Sequence, residues 1–418
     1  MRREFTYVTP AEALGQVIRV VHPKILNSES VQTSEMFGRV LAEDIVADTA
    51  LPEHDCSQFD GFAVRAEDTH GASTDTPVVL RVRGEIRLGR GVSCKLCQGE
   101  TYKVPTGGLL PKGADAVVME EQIAQSGNSI QIYDPLRVGD NVTPKGRDVR
   151  RGKRILLRGR TLRAQDEGLL AALGVKAVQV VRRPVVPIIS SGNELVGDIK
   201  EKRYGKVLQS HSHTIARLVA RLGGTPVDMG IAPDDVSAIR EKILEGLRIG
   251  DLLITIGGCS VGDRDYVPDA INQARNSKVI VHGIRRRPGR VSGVGVVGGK
   301  PIVMLPGHIQ STFVGFYTFA IPLIHIMSGV SEESPLSIIK ARMSEEVVFN
   351  GSGEFERVVL VGFERKSGGW VARPIMGDSS LLRTLVEADG FVIAPPRKTM
   401  LERDEEVDVN LVPGLSWA

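Results

Sequence analysis

The sequence predicts a multidomain α/β plus β protein, and three observations carry that prediction. From Val185 to Leu305, β-branched runs alternate with stretches of helical apolar spacing, the pattern of a doubly wound α/β domain. Ahead of it, brief β-branched runs cut by glycine and proline mark a β-rich inserted domain. After Gly329 the chain turns β-rich again, as a small C-terminal β-barrel domain. The expected division is 1–48 plus 137–182 as a helical and linking domain, 49–136 as the insertion, 183–330 as the α/β domain and 331–418 as the barrel. A chain of 418 residues has room for two to four cores.

Residues 9–46 read as an N-terminal helical segment. Thr9 can cap a helix with Pro10 at its first position, and Ala11 to Val21 follow with apolar spacing. In the insertion the strand candidates are Pro77–Val82, Ala116–Val118 and Ile130–Tyr133. A loop dense in Gly, Asp and Arg, Val138–Lys153, leads to a predicted helix Leu162–Leu173, expected to pack on the N-terminal helices. The α/β run then reads as strand Val185–Ile189, helix Ser212–Leu222, strand Pro226–Gly230, helix Val236–Leu247, strand Leu252–Ile256 and helix Tyr266–Arg275. Strand Lys278–His282, a hairpin Val291–Leu305 and a helix from Ser311 complete it, in a sheet expected to be parallel. Gly293, Gly295 and Gly298 fit G-x-G-x-x-G, but a strand follows them, which excludes a dinucleotide fingerprint. Val347–Phe349, Arg357–Gly362, Trp370–Ala372, Phe391–Ala394 and Glu406–Asn410 are the strands of the barrel.

Net charge is only +3 and aromatics are 5% of the chain, a poor composition for a dedicated nucleic-acid binder. The start, MRREFTYVTPAEAL, has no apolar signal core. The longest apolar run, Phe313–Met327, is too short to span a bilayer and reads as a buried helix, so the expectation is a cytoplasmic protein without a membrane partner. Cys56, Cys94, Cys97 and Cys259 form no disulfide framework, and the lone C-x-x-C lacks the second ligand pair a zinc site needs.

The stretch Asp251–Val267, DLLITIGGCSVGDRDYV, is a buried strand entering a glycine turn and then a helix. Without Cβ atoms at Gly257, Gly258 and Gly262, backbone N–H groups can approach an anion, and Ser260 adds a hydroxyl. Asp263 and Asp265 would repel a phosphate, which suggests a bridging cation or a part in the chemistry; a plain βα turn with solvated acids is the alternative. Ser190–Glu194 and Leu305–His308 are two further polar turns at strand ends, and three such turns along one sheet edge outline a pocket. Arg285, Arg286, Arg287 and Arg290, interrupted by Pro288 and Gly289, supply forked donors suited to an oxyanion. A second cluster, Ser57–Arg65, Thr106–Gly108 and Gly146–Asp148, sets carboxylates or hydroxyls on glycine-flanked turns, which taken singly are routine.

These motifs together resemble the MoeA family, the molybdopterin molybdenumtransferases, which include the C-terminal domain of gephyrin. S-x-x-D-G-x-A-V-R (Ser57–Arg65), TGGLLPKGADAVVMEE (Thr106–Glu121), GRDV (Gly146–Val149), SGNEL (Ser191–Leu195), GGCSVGDRDY (Gly257–Tyr266), RPGR (Arg287–Arg290), LPGH (Leu305–His308), EFERV (Glu354–Val358) and SSLLRTLVEADG (Ser379–Gly390) fall in family order. The resemblance implies a MogA-like α/β domain within a four-domain chain, and a homodimer whose active site is composite, with the Asp60 side of one chain meeting the α/β domain of the other. It implies insertion of molybdate, or tungstate, into adenylylated molybdopterin with Mg²⁺ and release of AMP, and contacts with other cofactor-biosynthesis proteins. Carried over by motif, Asp60, Thr106, Asp148, Glu194, Asp234 and Asp265 are the catalytic candidates, with Asp60 and Asp265 for the metal. Gly257, Gly258, Ser260, Gly262, Arg287, Gly289, Arg290, Gly307, Arg357 and Ser379 are the binding candidates. Four places depart from the family pattern. Its T-G-D-E-L has Ser191 and Asn193 here, an expected asparagine is His211, lysines are Gly283, Arg287 and Arg290, and P-G-N-P ends in His308 and Ile309. A non-catalytic paralogue that binds a pterin or nucleotide, or serves as a scaffold, is the alternative reading.

Overall fold

A computed structural model describes residues 6–260, 265–331, 337–350 and 353–412. The first helix, Pro10–Val21, starts as its sequence prescribes: Thr9 and Glu12 form a reciprocal capping box and Pro10 occupies the first turn. The expectation of helix through residue 46 is corrected. His22 adopts a left-handed φ of 48°, its N–H bonds the Ile18 carbonyl, and Pro23 follows, so the helix stops at Val21. Beyond the stop, Ser28–Gln32 pairs antiparallel with Ala177–Val181, and Ile45–Val46 pairs with Arg154–Leu156. The Ala164–Ala172 helix packs over Met36, Leu41, Leu156 and Val180 rather than on the first helix, because Leu170 is its one fully buried apolar residue and faces that small core.

The intervening chain builds a six-stranded sheet in the order Ala116–Met119, Gly61–Val64, Glu100–Val104, Val78–Glu85, Ser129–Ile132, Ile123–Ser126. Its core is Phe62, Val64, Leu80, Val118, Ile130 and Ile132. Gly61 admits no side chain: a Cβ there would sit 2.1 Å from the Val118 carbonyl oxygen.

The α/β domain carries a second six-stranded sheet, ordered Thr225–Ala232, Val185–Ser191, Leu253–Ile256, Lys300–Leu305, Gly293–Val297, Ser277–His282. The first four strands are parallel, as expected for strands joined by helices. The hairpin expected at Val291–Leu305 is present, and its first strand, Gly293–Val297, runs antiparallel to both neighbours, so the sheet expected to be parallel is mixed on that side. The two-glycine turn Gly298-Gly299, both at positive φ, makes a tight hairpin that no parallel crossover could use. This hairpin also disposes of the G-x-G-x-x-G spacing. Helices His211–Arg221, Val236–Ile249 and Val267–Asn272 cover the faces. Residues Ile309–Ser328 are long and apolar enough to cross a membrane by composition, yet 72% of that window is buried inside the protein, as a core helix.

The final strands close a five-stranded barrel: Glu356–Lys366, Gly369–Pro374, Ile338–Met343, Glu406–Leu411 and Gly390–Ala394, which returns to pair with Glu356–Lys366. Arg286–Arg287 of the α/β domain joins the same sheet as an outer strand parallel to Glu356–Arg357. That register sets Arg287 beside Arg357.

Candidate functional site

Four parallel strands end at one edge of the α/β sheet, and the chain leaving each contributes to one cleft of about 670 Å³. Ser190–Glu194 follows Val185–Ser191, Asp234 follows Thr225–Ala232, Gly257 and Gly258 follow Leu253–Ile256, and Gly307 and His308 follow Lys300–Leu305. This is where open α/β sheets place ligands. Asp265, His211, Gln209, Ser380 and Leu382 complete the lining. Gly257 at φ +88° and Gly258 at φ +65° turn the chain sharply, and the Gly257 N–H bonds the Leu305 carbonyl at 2.9 Å. A Cβ on Gly257 would come within 2.5 Å of the Ser191 carbonyl oxygen, so the two turns can approach only with glycine there. Gly262 and Asp263 lie outside the described residues.

The acids in the cleft divide into two kinds. Asp234 accepts from the Asn193 N–H at 3.1 Å and the Ser191 hydroxyl at 3.4 Å, while Asn193 Oδ1 accepts from the Asp234 N–H at 3.1 Å. Asn193 and Asp234 thus pair reciprocally, each backbone N–H donating to the other's side-chain oxygen, and Asp234 braces the turn. Glu194 and Asp265 line the cleft. Cys259, fully buried behind the turn, has its thiol pushed far up by burial and then by Asp265, which removes it as a nucleophile. His211 is held below its ordinary value by burial and by nearby His308.

A second cavity, about 320 Å³, opens between the α/β domain and the barrel, lined by Arg287, Arg357, Gln310, Ser379 and an apolar wall that includes Val347, Phe349 and Leu360. Arg287 Nε is buried without a hydrogen-bond partner among the described residues, and its guanidinium lies 4.4 Å from the Phe355 ring centre. Burial, and then Arg287, disfavours the charge on Arg357. Two guanidiniums brought together against apolar side chains create demand for an anion. Gly289, at φ +100° against Val314, shapes the loop, whereas Arg290 is exposed and lines neither cavity.

The Asp60 cluster stands apart within the chain. Thr106 donates its N–H and its hydroxyl to Asp60 Oδ1, at 2.6 and 2.9 Å. The segments are zipped by Ser57 N–H to Gly108 O and Gly107 N–H to Ser57 O. These bonds hold the exposed Asp60 carboxyl below the usual carboxylate range, the backbone N–H contributing most. Asp148, also exposed, sits on the turn that hydrogen-bonds Leu51 and Pro52 of the same region. Neither Asp60 nor Asp148 lines the cleft. Sequence reasoning missed Gln310 and Ser380: Gln310 falls between LPGH, which ends at His308, and the helix expected from Ser311, and Ser380 lies within SSLLRTLVEADG, of whose two serines only Ser379 is a binding candidate.

Three family models match in succession: the MoeA N-terminal region, domains I and II, over residues 8–174; a "probable molybdopterin binding domain" over 187–326; and the MoeA C-terminal region, domain IV, over 340–412. The molybdopterin molybdenumtransferase of Bacillus subtilis (strain 168) is 33% identical over 97% of this chain and 94% of its own length. That of Staphylococcus aureus (strain COL) is 32% identical over 93% of each. The crystal structure of a molybdopterin biosynthesis MoeA protein from Pyrococcus horikosii has a TM-score of 0.86 at 32% identity, covering 98% of this chain and 100% of that one. The strand-end cleft, the arginine cavity at the barrel and the Asp60 turn therefore sit on a shared full-length framework, and the chain belongs to the MoeA family of molybdopterin molybdenumtransferases.

Proposed function

We propose that the protein inserts molybdate, or tungstate, into adenylylated molybdopterin with release of AMP, in the cytoplasm, as a homodimer. The observation that carries this reading is the adjacency of two unlike cavities that share the 308–310 and 379–380 segments: a polar, glycine-floored cleft and a pocket of paired arginines. A pterin phosphate would sit on the Gly257–Gly258 turn, where N–H groups can approach it, and Ser260 flanks that turn. Arg287, Arg357 and the Ser379 hydroxyl would hold the tetrahedral oxyanion, leaving the dithiolene at the border of the two cavities. Water cleaves the phosphoanhydride, AMP departs and the pterin keeps its phosphate; both dithiolene sulfurs bond the metal of the oxyanion, and their two protons leave with one of its oxo ligands as water.

The donor set fits Mg²⁺, which takes hard oxygen ligands, often only one or two carboxylates plus substrate phosphates and water. Asp60 and Asp265 would hold it, and the ion would supply charge neutralisation at the phosphoanhydride. Among the described residues no three acidic, His or Cys side chains gather as a ready-made metal cage. With Asp60 outside the cleft of its own chain, a partner copy is the source of the missing acid, and Asp148 and Thr106 would accompany it. Other cofactor-biosynthesis proteins are the expected suppliers and acceptors.

Incubation of purified protein with adenylylated molybdopterin, Mg²⁺ and molybdate or tungstate tests the reading, with AMP release and metal-bearing cofactor as readouts. Absence of both products with either oxyanion overturns it.

A further inference from the structure

The α/β domain grips the barrel through a clasp at the wall between the two cavities. The Gln310 N–H donates to the Ser379 carbonyl at 3.1 Å, and Gln310 Nε2 reaches the Asp378 carbonyl at 3.1 Å and Thr384 Oγ1 at 2.7 Å. On the barrel side, Asp378 accepts from the Ser380 N–H and hydroxyl, both at 3.0 Å. These bonds fix the backbone of the 378–380 turn. They leave one degree of freedom that matters for chemistry, the rotation of the Ser379 hydroxyl. His308 takes it up: its Nδ1 lies 3.0 Å from Ser379 Oγ.

His308 lines the cleft and Ser379 lines the arginine pocket, so this single bond crosses the wall. A serine side chain has three staggered wells, and a bond to Oγ selects one of them. A hydroxyl also carries one donor and two acceptor positions. When Nδ1–H donates to Oγ, the Ser379 proton remains available to an anion lying between Arg287 and Arg357. When Nδ1 accepts instead, that proton is taken and the pocket loses a donor.

We infer that His308 is a positioning residue for the oxyanion half of the site, acting through the Ser379 hydroxyl. The inference rests on the assignment of Ser379 and the arginines to the oxyanion. It specifies a role for one of the side chains by which this sequence departs from its family's motif. Asparagine, whose amide nitrogen can occupy the place of Nδ1, should substitute for it; glutamine, one methylene longer, should not.

The test is steady-state kinetics of AMP release with each substrate varied in turn. His308→Ala is expected to raise the molybdate KM about three- to tenfold, the effect of one lost neutral hydrogen bond, and by a larger factor than the KM for the pterin substrate, whose cleft His308 also lines. His308→Asn should restore the wild-type value and His308→Gln should not. In a Ser379→Ala background, His308→Ala should add nothing, since the two residues act as a unit. Additive effects in that cycle, an equal rise in both KM values, or no rescue by asparagine would each overturn the inference. His308 is exposed, and matching melting curves confirm that the variants are folded. If wild-type protein releases no AMP, the proposed function fails, and calorimetric binding of tungstate reads the coupling instead. Weaker binding in His308→Ala that vanishes in the Ser379→Ala background upholds it, and unchanged binding overturns it.

Discussion

Thr106 places both of its donors on one oxygen of Asp60, the N–H at 2.6 Å and the hydroxyl at 2.9 Å from Oδ1. That arrangement holds an exposed carboxylate ionised and pointed, as expected of an acid that meets a cation rather than moves a proton. Asp60→Asn is expected to lower Mg²⁺-supported AMP release by about a hundredfold or more, the scale of losing a group that stabilises developing charge. The amide still offers an oxygen to both Thr106 donors, so the variant should remain folded with a melting curve close to wild type. Thr106→Val keeps the N–H and loses the hydroxyl, so its loss should be smaller, about three- to tenfold. Turnover titrated against Mg²⁺ checks both, and an Asp60→Asn protein of wild-type activity would remove Asp60 from the machinery.

Two glycines on the cleft floor should fail differently. Alanine at Gly257 meets the Ser191 carbonyl oxygen at 2.5 Å on a backbone at φ +88°. Strain and overpacking together should cost about 2–4 kcal/mol, read as a fall in melting temperature. A Cβ on Gly307 finds only the Gly257 Cα, at 3.9 Å, so Gly307→Ala should melt like wild type. Its methyl still stands in the cleft, and pterin binding measured by calorimetry should weaken. Equal stability loss in both variants would show that the cleft floor is packing rather than a ligand surface.

The alternation of strand and helix from Val185 onward was legible because each element states its own period, and the observed Val185–Ser191, Val236–Ile249 and Leu253–Ile256 carry it openly. The N-terminal region was less legible because its strands depend on partners far away in sequence. Ser28–Gln32, SESVQ, has only one apolar residue and is a strand because Ala177–Val181 lies beside it. Ile338–Met343 hid for another reason: IIKARM alternates burial, but its cations break the apolar run. Within the site, the glycine turns announced themselves, since positive φ and close approach demand glycine. The Asn193–Asp234 pair and the His308–Ser379 bond did not, because side-chain pairing across 41 or 71 residues leaves no local mark.

Arg287 gives a way to separate binding from stability. Its Nε is buried without a partner among the described residues, beside a second guanidinium whose charge it disfavours. Removing it forfeits the contact with Phe355, worth about 0.5–2 kcal/mol, and relieves the repulsion with Arg357. Arg287→Ala should therefore change stability by about 1 kcal/mol or less. Its molybdate KM should rise about tenfold or more, because bonds to charged groups contribute about 1.5–3 kcal/mol. Arg287→Lys keeps the charge without the fork and should fall between the two. A large loss of stability with unchanged KM would recast the arginine pair as structural.

His211 sets the acid side of stability. Burial, and secondarily His308, holds its folded pKa below the ordinary 6.5. As pH falls, the unfolded chain therefore takes up this proton before the folded protein does. The stability contributed by neutral His211 is fully present above pH about 6.5 and is lost progressively as pH drops from there through the folded value. His211→Asn, uncharged throughout, removes that dependence. Its melting temperature should fall less than the wild-type value between pH about 7.5 and 5.5, with the gap between the two proteins constant above neutrality. The same protonation would put a cation on the cleft wall facing His308, so wild-type pterin affinity should change over the acid window in which the asparagine variant holds steady. Parallel melting curves across the whole range would mean that His211 titrates as it does in the unfolded chain.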